Sequence, residues 1–447
     1  MTLPTASIPE LARRLAMGET RSRTLVEAAL EAIDADPRAF VFVDAAGARA
    51  AADAADGARI HGHGGGHSSQ LAGLPVSVKD LFDVAGQATR AGTTILESAA
   101  PAGADAPPVA RLRAAGAIII GRTQMSEFAF TGLGLNPHSP QPPNPADGAR
   151  VPGGSSGGAA VSVGLGQAVA GLGSDTGGSV RIPAAFCGLA GFKPTQSRIS
   201  RQGAYPLAPS LDSVGAITRT IACCRIVDSV IADQLSPEPA KPVGLAGLRL
   251  AIPEGYLLEG LDPEVAAAFE RAVGKLSVAG VRVSTLAFPE LAAIPAMNAR
   301  GSISNAEAYA FHRRSGLLEH RSRYDPIVLA RIEMGAQLSA ADYLDLLAAR
   351  GALIAAAEAR TREYDALIWP TAPILAPKVA AVSEAAEFNR LNGLALRNAS
   401  VVNLLDRCAA TVPMASDVAP AGLMIVGPRS SDAATLTLAE AVEPVVA

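Results

Sequence analysis

The first half of the chain alternates amphipathic helical segments with short runs of apolar residues. Apolar positions recur at helical spacing over residues 22–34 and 106–115, and strand-like apolar runs cover 74–79, 117–121 and 169–174. A helix buries one stripe of residues, whereas a strand covered on both faces is apolar throughout. The alternation of these two patterns predicts a layered α/β fold in which buried strands lie beneath helices.

The second half continues this pattern and then becomes more polar. Strands are predicted at 248–252 and 281–286, with a helix between them that takes Asp262 as its N-cap. Residues 298–362 are mostly helical in pattern, and a short helix is predicted over 430–443. Helices therefore dominate the last part of the predicted fold.

Two Gly-Gly-Ser elements, at 153–155 and 177–179, stand twenty-four residues apart on either side of an apolar run. Glycine lets the backbone approach a ligand closely and leaves bare N–H groups beside the serine hydroxyl. Acyl transfer requires this combination, a nucleophile next to donors that stabilise an oxyanion. The alternative interpretation is a pair of flexible loops rich in glycine and serine.

The strand predicted at 74–79 ends in Lys79, in a chain that otherwise uses arginine for positive charge. Only five of its 38 Lys and Arg residues are lysines. A desolvated lysine can lose its proton, whereas arginine stays charged in proteins. Lys79 is therefore a candidate general base in a Ser–Lys variant of the serine triad. The alternative is a lysine that forms a salt bridge at the end of a strand.

These motifs resemble those of the amidase signature family. The family's Gly-Gly-Ser-Ser-Gly-Gly stands at 153–158, its Gly-Ser-Asp-Thr-Gly-Gly-Ser at 173–179, and its Pro-x-x-x-Lys-Asp at 75–80. The resemblance covers most of the chain, most strongly from 71 to 220 and most weakly from 253 to 362.

The resemblance implies a fold and a domain organisation. The expected fold is α/β, with one large, mixed, mostly parallel twisted sheet covered by helices on both faces. A single domain is expected over residues 1–447, in which the helical segment at about 298–362 varies with the substrate.

The resemblance also implies roles for particular residues. Ser179 is implied to be the nucleophile, and Lys79 the base that finally takes its proton. Ser155 is implied to relay the proton between them and to follow a cis peptide bond from Gly154. The oxyanion hole is expected to consist of the N–H groups of Thr176, Gly177, Gly178 and Ser179. Water would hydrolyse the acyl-enzyme, so no metal and no organic cofactor is expected.

The substrate is expected to lie against two segments near the nucleophile. By its position in the family, the first consists of Ala129, Phe130, Thr131 and Gly132. The second is the helical segment 298–335, where Arg331 is the charged candidate for pairing with a substrate carboxylate. The alternative for Arg331 is a local ion pair with Glu333. The neighbouring Phe128 is expected to be an ordinary core aromatic residue.

Composition restricts the partners and the location. A net charge of −4 gives no electrostatic reason to expect binding to nucleic acid or to an anionic membrane. Four cysteines, two of them adjacent, indicate no disulfide framework. No signal peptide and no membrane span are predicted, so a cytoplasmic location is expected. A small-molecule amide is the expected partner, and a homodimer is left open.

Three histidines, His61, His63 and His67, cluster in a glycine-rich segment. A metal site is one interpretation of such a cluster. A mobile surface loop is the preferred one, because no cysteine or carboxylate cluster accompanies the histidines and the glycines between them preform no geometry.

Three functions remain open on the sequence. The favoured one is a free-standing amide hydrolase that uses a Ser-Ser-Lys triad and an acyl-enzyme to release ammonia or an amine from a small carboxamide. The second is an amidotransferase subunit that releases ammonia from glutamine for a partner protein. The third is an inactive binding module, which is disfavoured because all three catalytic side chains are present.

Overall fold

The computed structural model describes residue 3 and residues 6–60, 69–233 and 243–447. The strands are β1 (Phe40–Val43), β2 (Pro75–Lys79), β3 (Ile118–Thr123), β4 (Ala170–Asp175), β5 (Ala190–Lys193), β6 (Ser213–Thr218), β7 (Arg249–Pro253), β8 (Arg282–Leu286), β9 (Ala366–Pro370), β10 (Ala409–Met414) and β11 (Ala421–Val426). The α-helices are α1 (Ile8–Ala16), α2 (Ser22–Ala35), α3 (Ala45–Ile60), α4 (Pro107–Ala114), α5 (Gly157–Gly164), α6 (Arg181–Phe186), α7 (Ile221–Ile231), α8 (Pro263–Val278), α9 (Ile294–Met297), α10 (Ile303–Arg314), α11 (Pro326–Met334), α12 (Ala340–Thr361), α13 (Ala385–Leu404) and α14 (Asp432–Val446).

The predicted elements lie within a few residues of their expected positions. The expected strands are β2, β3, β4, β7 and β8, and the expected helices include α2, α4, α8 and α14. Residues 298–362 are mostly helical, as predicted, and contain α10, α11 and α12. Asp262 is the N-cap residue of α8, but its carboxylate accepts a hydrogen bond from the N–H of Leu375 (3.0 Å) instead of capping its own helix.

The strands of the described residues form one mixed sheet of eleven strands, in the order β1-β3-β2-β4-β6-β5-β10-β11-β9-β7-β8. The α/β class and the large mixed sheet are as predicted. The share of parallel neighbours is smaller than expected, because only β3/β2, β2/β4, β9/β7 and β7/β8 are parallel. From β4 to β9 every neighbouring pair is antiparallel. One reason is that β10 and β11 follow each other through a short connection, which reverses the chain, whereas a parallel pair needs a long crossover.

Both faces of this sheet are buried under helices. Along β9, Leu367 and Trp369 pack into one hydrophobic cluster, whereas Ala366 and Ile368 pack into another. Successive residues of a strand point to opposite faces, so the two clusters are core layers on the two sides of the sheet. α12 and α13 contribute to the first layer, and α8 and α14 to the second. This confirms the expected covering of both faces.

Candidate active site

Two neighbouring strands position the predicted catalytic residues. β2 and β4 are adjacent and parallel, so their carboxyl ends meet at one edge of the sheet. Lys79 is the last residue of β2, and Ser179 follows β4 in the turn that leads into α6. Ser155 lies just before α5. All three side chains are buried, at 0%, 3% and 0% exposure for Lys79, Ser179 and Ser155.

The Lys79 amine lies between two serine hydroxyls. Its Nζ is 2.7 Å from Ser155 Oγ and 2.9 Å from Ser174 Oγ. Burial lowers the pKa of Lys79 to about 7, although the negative charges of Asp175 and Asp212 act in the opposite direction. Within the described residues no carboxylate forms an ion pair with Lys79, so the salt-bridge interpretation is wrong. Ser174 was not predicted as part of the site.

The backbone around Ser155 is fixed by close packing. The Gly154–Ser155 peptide bond is cis, as the resemblance implied. The N–H of Gly154 donates to the carbonyl oxygen of Gly132 (2.8 Å). A Cβ atom on Gly154 would stand 2.5 Å from the backbone nitrogen of Gly134, so only glycine fits there. The first Gly-Gly-Ser element is therefore a packed part of the site and not a flexible loop.

Asp175, the last residue of β4, holds the turn that carries Ser179. Its carboxylate accepts hydrogen bonds from the backbone N–H groups of Gly178 (2.8 Å) and Val180 (3.1 Å), on either side of the nucleophile. The second Gly-Gly-Ser element is therefore as tightly fixed as the first.

Side chains from two other elements hold Asp175 itself in place. Arg181 contacts its carboxylate through Nε (3.0 Å) and Nη2 (2.8 Å), and Asn403 Nδ2 donates to it from α13 (3.0 Å). Burial acts to raise the pKa of Asp175, but the charge and hydrogen bonds of Arg181, with Lys193 and Asn403, hold it well below its usual range. Asp175 therefore stays ionised, which keeps its hydrogen bonds to the turn.

The expected set of oxyanion donors changes because of Asp175. Gly178 was expected to contribute its N–H, but that group already donates to the Asp175 carboxylate. In the part of the chain that the structure describes, the N–H groups of Thr176, Gly177 and Ser179 have no protein acceptor. Three of the four expected donors are therefore open to a ligand in this conformation.

The first predicted substrate segment lies directly beside the Ser155 loop. Its residues are Ala129, Phe130, Thr131 and Gly132. Gly132 accepts from Gly154, as described above, and its N–H donates to Asn392 Oδ1 on α13 (2.7 Å). Ser126 Oγ donates to the carbonyl oxygen of Thr131 (3.3 Å), and the N–H of Ser126 donates to that of Ser155 (3.2 Å). The C-terminal end of this segment is thus tied to the Ser155 loop and to α13.

Phe128 is a core aromatic residue, as predicted. Its ring packs edge-on against His312, with 4.5 Å between ring centroids, and lies 5.4 Å from both Tyr205 and Tyr324. His312 Nδ1 is 2.7 Å from Tyr324 Oη, and burial lowers the pKa of His312 to about 4. The imidazole is therefore neutral near pH 7, and the cluster consists of uncharged rings.

α13 forms a wall of the site that the sequence did not predict. Four of its side chains recur at helical spacing and face Gly132 and the nucleophile turn: Asn392, Leu396, Ser400 and Asn403. A Cβ atom on Gly177 would lie 3.7 Å from the side chains of Leu396 and Ser400. Residues three and four apart lie on one face of a helix, so α13 presents a single face to the nucleophile turn.

Arg331 lies on α11 and reaches the same face of α13. Its Nη2 donates to Asn389 Oδ1 (3.2 Å), one turn before Asn392. Glu333 pairs with Arg321 instead (2.9 Å), so the predicted local ion pair with Arg331 is wrong. The Arg331 Nε is buried and has no hydrogen-bond partner in the described residues, and burial lowers the pKa of Arg331. Arg331 is thus a partly satisfied cation at one end of this helix face.

The predicted histidine cluster of His61, His63 and His67 lies outside the described residues. Within the described ranges, no group of three or more His, Cys, Asp or Glu side chains is arranged to hold a metal ion. The four cysteines are buried and form no disulfide. No helix in those ranges combines the length and the apolar character needed to cross a membrane.

Comparison with known proteins extends over nearly the whole chain. A family model described as Amidase matches residues 24–436. The chain is 36% identical over 452 residues to a 2-amino-5-chloromuconic acid deaminase of Comamonas testosteroni, covering 98% of this chain and 96% of that protein. It is 34% identical over 485 residues to a glutamyl-tRNA(Gln) amidotransferase subunit of Roseiflexus castenholzii, covering 98% and 95%. A solved crystal structure of an amidase superposes with a TM-score of 0.88 at 33% identity, covering 99% of this chain and 100% of the other.

The fold and the site, with these relatives, define the class of protein: an enzyme that hydrolyses C–N bonds of amides. Within that class, the chain belongs to the Amidase family, the amidase signature enzymes that its motifs resemble.

Proposed function

We propose that this chain hydrolyses a small carboxamide through an acyl-enzyme on Ser179, with Ser155 and Lys79 as the proton relay. The observation that carries the proposal is the 2.7 Å contact between Lys79 Nζ and Ser155 Oγ, made by a buried lysine whose pKa is about 7. A serine hydroxyl is almost never ionised at neutral pH and needs a proton acceptor within reach. Neutral Lys79 is such an acceptor, and the Ser155 hydroxyl both gives and takes a proton.

The proposed reaction has two stages. Ser179 Oγ attacks the amide carbonyl while its proton passes to Ser155, whose own proton passes to Lys79. Collapse of the tetrahedral intermediate breaks the C–N bond, and the relay runs backward to protonate the departing nitrogen. Water then attacks the ester on Ser179, with the same relay taking its proton, and the carboxylic acid leaves. Every proton stays within the three residues or returns to product, so the stages require no cofactor.

The oxyanion of each tetrahedral intermediate is proposed to be bound by the N–H groups of Thr176, Gly177 and Ser179. Loss of one such donor typically raises the barrier by about 2.7–4 kcal/mol. The carboxylate of Asp175 supports this hole indirectly, because it fixes the backbone on both sides of Ser179.

The proposal is tested by assaying the purified chain alone against aliphatic, aromatic and ureido amides, with detection of released ammonia. Hydrolysis accompanied by an acyl adduct on the peptide that contains Ser179, seen by mass spectrometry after rapid quenching, supports it. Hydrolysis with an adduct on another residue contradicts the mechanism, and hydrolysis of no amide in the panel contradicts the function.

A glutamine-hydrolysing subunit is the second candidate, because one of the relatives belongs to a glutamyl-tRNA(Gln) amidotransferase. Such a chain would release ammonia from glutamine for a partner protein. The same assay separates the two candidates. Hydrolysis of other amides by the chain alone supports the free-standing enzyme, whereas activity that is confined to glutamine and requires a partner supports the second candidate.

The acyl side of the substrate is proposed to run along α13, from the nucleophile turn towards Arg331. Gly177 leaves room there, because a Cβ atom on it would make only ordinary contacts with Leu396 and Ser400 at 3.7 Å, and Asn392 presents an amide near Gly132. The buried Asn392 Nδ2 and Arg331 Nε both lack partners in the described residues, so both can donate to a substrate. A carboxylate on the acyl group is the chemistry that suits these donors.

We expect Arg331→Met to weaken binding of acidic amides selectively. KM for succinamate should rise by about 10- to 100-fold, the range expected for losing a hydrogen bond to a charged group. KM for butyramide, which has no carboxylate, should stay the same. Steady-state kinetics on both substrates checks this, with Arg321→Met as the matched control because Arg321 is an exposed arginine on a neighbouring segment. If KM rose equally for both substrates, or if Arg321→Met changed KM in the same way, the role of Arg331 would be structural and not in substrate binding.

The dependence of kcat/KM on pH should follow the ionisation of Lys79. Only the neutral amine accepts a proton, and burial lowers the pKa of Lys79 to about 7. Below that pH the amine is protonated, so kcat/KM should fall about tenfold per pH unit, and above it the rate should reach a plateau. A profile recorded from about pH 5 to about pH 9 checks this. A midpoint near the ordinary pKa of lysine, or a rate that falls as pH rises, would argue against Lys79 as the base.

A further inference from the structure

A cavity beside the nucleophile turn is assigned no ligand in the mechanism above, although Thr176, a proposed oxyanion donor, lines it. It has a volume of about 180 Å³ and lies between the end of β4, the start of β6 and the loop that connects β5 to β6. Most of its wall is apolar and is formed by Leu81, Ala204, Tyr205, Pro206, Leu207 and Val214. The cavity therefore offers a ligand mainly apolar contact.

The side chains of Asp212, Ser213, Thr176 and Arg201 in the cavity wall form hydrogen bonds within the protein. Asp212 accepts hydrogen bonds from Thr176 Oγ1 (2.5 Å) and from two backbone N–H groups (3.0 and 3.1 Å). Ser213 Oγ donates to a backbone carbonyl oxygen (2.8 Å), and the Arg201 guanidinium donates to another. A ligand in the cavity would have to compete for these groups, which favours an apolar occupant.

Ser174 connects the cavity to the lysine of the proposed proton relay. Ser174 and Thr176 both line the cavity, and Ser174 Oγ is 2.9 Å from Lys79 Nζ. The same lysine contacts Ser155, which is proposed to protonate the departing nitrogen. That nitrogen must lie beside Ser155 when the C–N bond breaks. α13, which is described throughout and borders the proposed acyl side, contributes no residue to the cavity wall, whereas Ala129 of the first predicted substrate segment does.

We propose that the cavity binds the nitrogen substituent of a secondary amide, a ring of about six carbons or a branched chain of similar size. An apolar cavity of about 150 Å³ is enough to bind benzene, so such a group fits here. The inference rests on the proposed function, since it places this substituent relative to Ser155 and Ser179. With such a substrate the enzyme would release an apolar primary amine. It would also hydrolyse primary amides, which leave the cavity empty.

The test compares one acyl group with three leaving nitrogens: butyramide, N-methylbutyramide and N-cyclohexylbutyramide. The two substituted amides have leaving groups of similar intrinsic reactivity, so their ratio reports binding of the ring. We expect wild-type kcat/KM for the cyclohexyl amide to be at least about tenfold above that for the methyl amide. A ratio of one or less overturns the inference, whether or not butyramide is hydrolysed.

A variant that fills the cavity provides the second arm. Ala204→Leu should lower kcat/KM for the cyclohexyl amide by about tenfold or more and leave butyramide within about twofold. Ala100→Leu is the matched control, because Ala100 is exposed and lies outside the cavity wall. If the melting temperature shows that Ala204→Leu is unfolded, the smaller Ala204→Val replaces it. An equal effect of the folded variant on all three substrates overturns the inference.

Failure of the proposed function is distinguished by a binding measurement. If no amide is hydrolysed, saturation-transfer NMR with aniline as the probe tests the cavity directly. Aniline that binds to the wild type and not to Ala204→Leu supports the cavity as an amine site, while the hydrolase proposal fails. Aniline that does not bind the wild type overturns the inference.

Discussion

Ser179→Ala is expected to lower kcat for amide hydrolysis by a factor of at least about 10⁴, the scale seen when a nucleophile that acts with its base is removed. The loss is large because alanine has no hydroxyl that could attack the amide carbonyl and carry the acyl group. The fold should persist, since Asp175 holds this turn through the backbone N–H groups of Gly178 and Val180. Rates on the best amide of the panel, together with the melting temperature, check both parts.

The control for this variant is Ser383→Ala, which changes an exposed serine far along the chain and should keep wild-type rates. Residual activity of Ser179→Ala above a few per cent of wild type would mean that another residue is the nucleophile. Loss of the folded state would leave the rate uninterpretable, so Ser179→Cys, which keeps a nucleophile of similar size, is measured beside it. An acyl adduct on that cysteine supports the assignment, and an active Ser179→Cys without one contradicts it.

Lys79→Ala and Lys79→Arg are both expected to lower kcat by about 10²–10⁴, the usual contribution of general acid–base catalysis. Arginine keeps the positive charge but cannot take up a proton in this pH range, so charge alone should rescue nothing. The control is Lys378→Ala, at an exposed lysine, which should retain wild-type rates. Wild-type activity in Lys79→Arg would remove Lys79 as the base.

The catalytic candidates were visible in the sequence because the chemistry of each depends on near neighbours. Lys79 is recognisable as a lysine at the end of an apolar strand. Ser155 and Ser179 are recognisable by the pair of glycines that precedes each of them. The structure brings Lys79 and Ser155 into contact across 76 residues, with α4 and β3 between β2 and the loop before α5. The function of Lys79, Ser155 and Ser179 stays a prediction, while the contact between Lys79 and Ser155 is now observed.

The walls of the site were harder to predict, because they are built from residues distant in sequence. Asn403 contacts Asp175 across 228 residues, and Asn392 contacts Gly132 across 260. The periodicity of α13 marks a helix in the sequence, but it does not say which partner its polar stripe faces. Ser174 was missed for a related reason, since a serine within a strand carries no local sign that it will meet Lys79.

The resemblance led us to expect a mostly parallel sheet, and the apolar runs could not correct this expectation because they identify buried strands without their order. Buried strands in parallel and antiparallel neighbours have the same composition once both faces are covered. The connection between β10 and β11 is short enough to favour a hairpin, and this feature carries more information about strand direction than the runs themselves.

The contact between Asp175 and Asn403 has a consequence for how the protein becomes active during its synthesis. Lys79, Ser155 and Ser179 have all emerged from the ribosome once α7 has been made. Asn403, which helps to hold Asp175 and through it the nucleophile turn, belongs to a helix that is synthesised much later. A nascent chain that stops at α7 therefore contains Lys79, Ser155 and Ser179, with Arg181 but not Asn403 to hold Asp175. We expect the nucleophile turn to be less firmly fixed in such a chain than in the complete fold, where α13 packs against it.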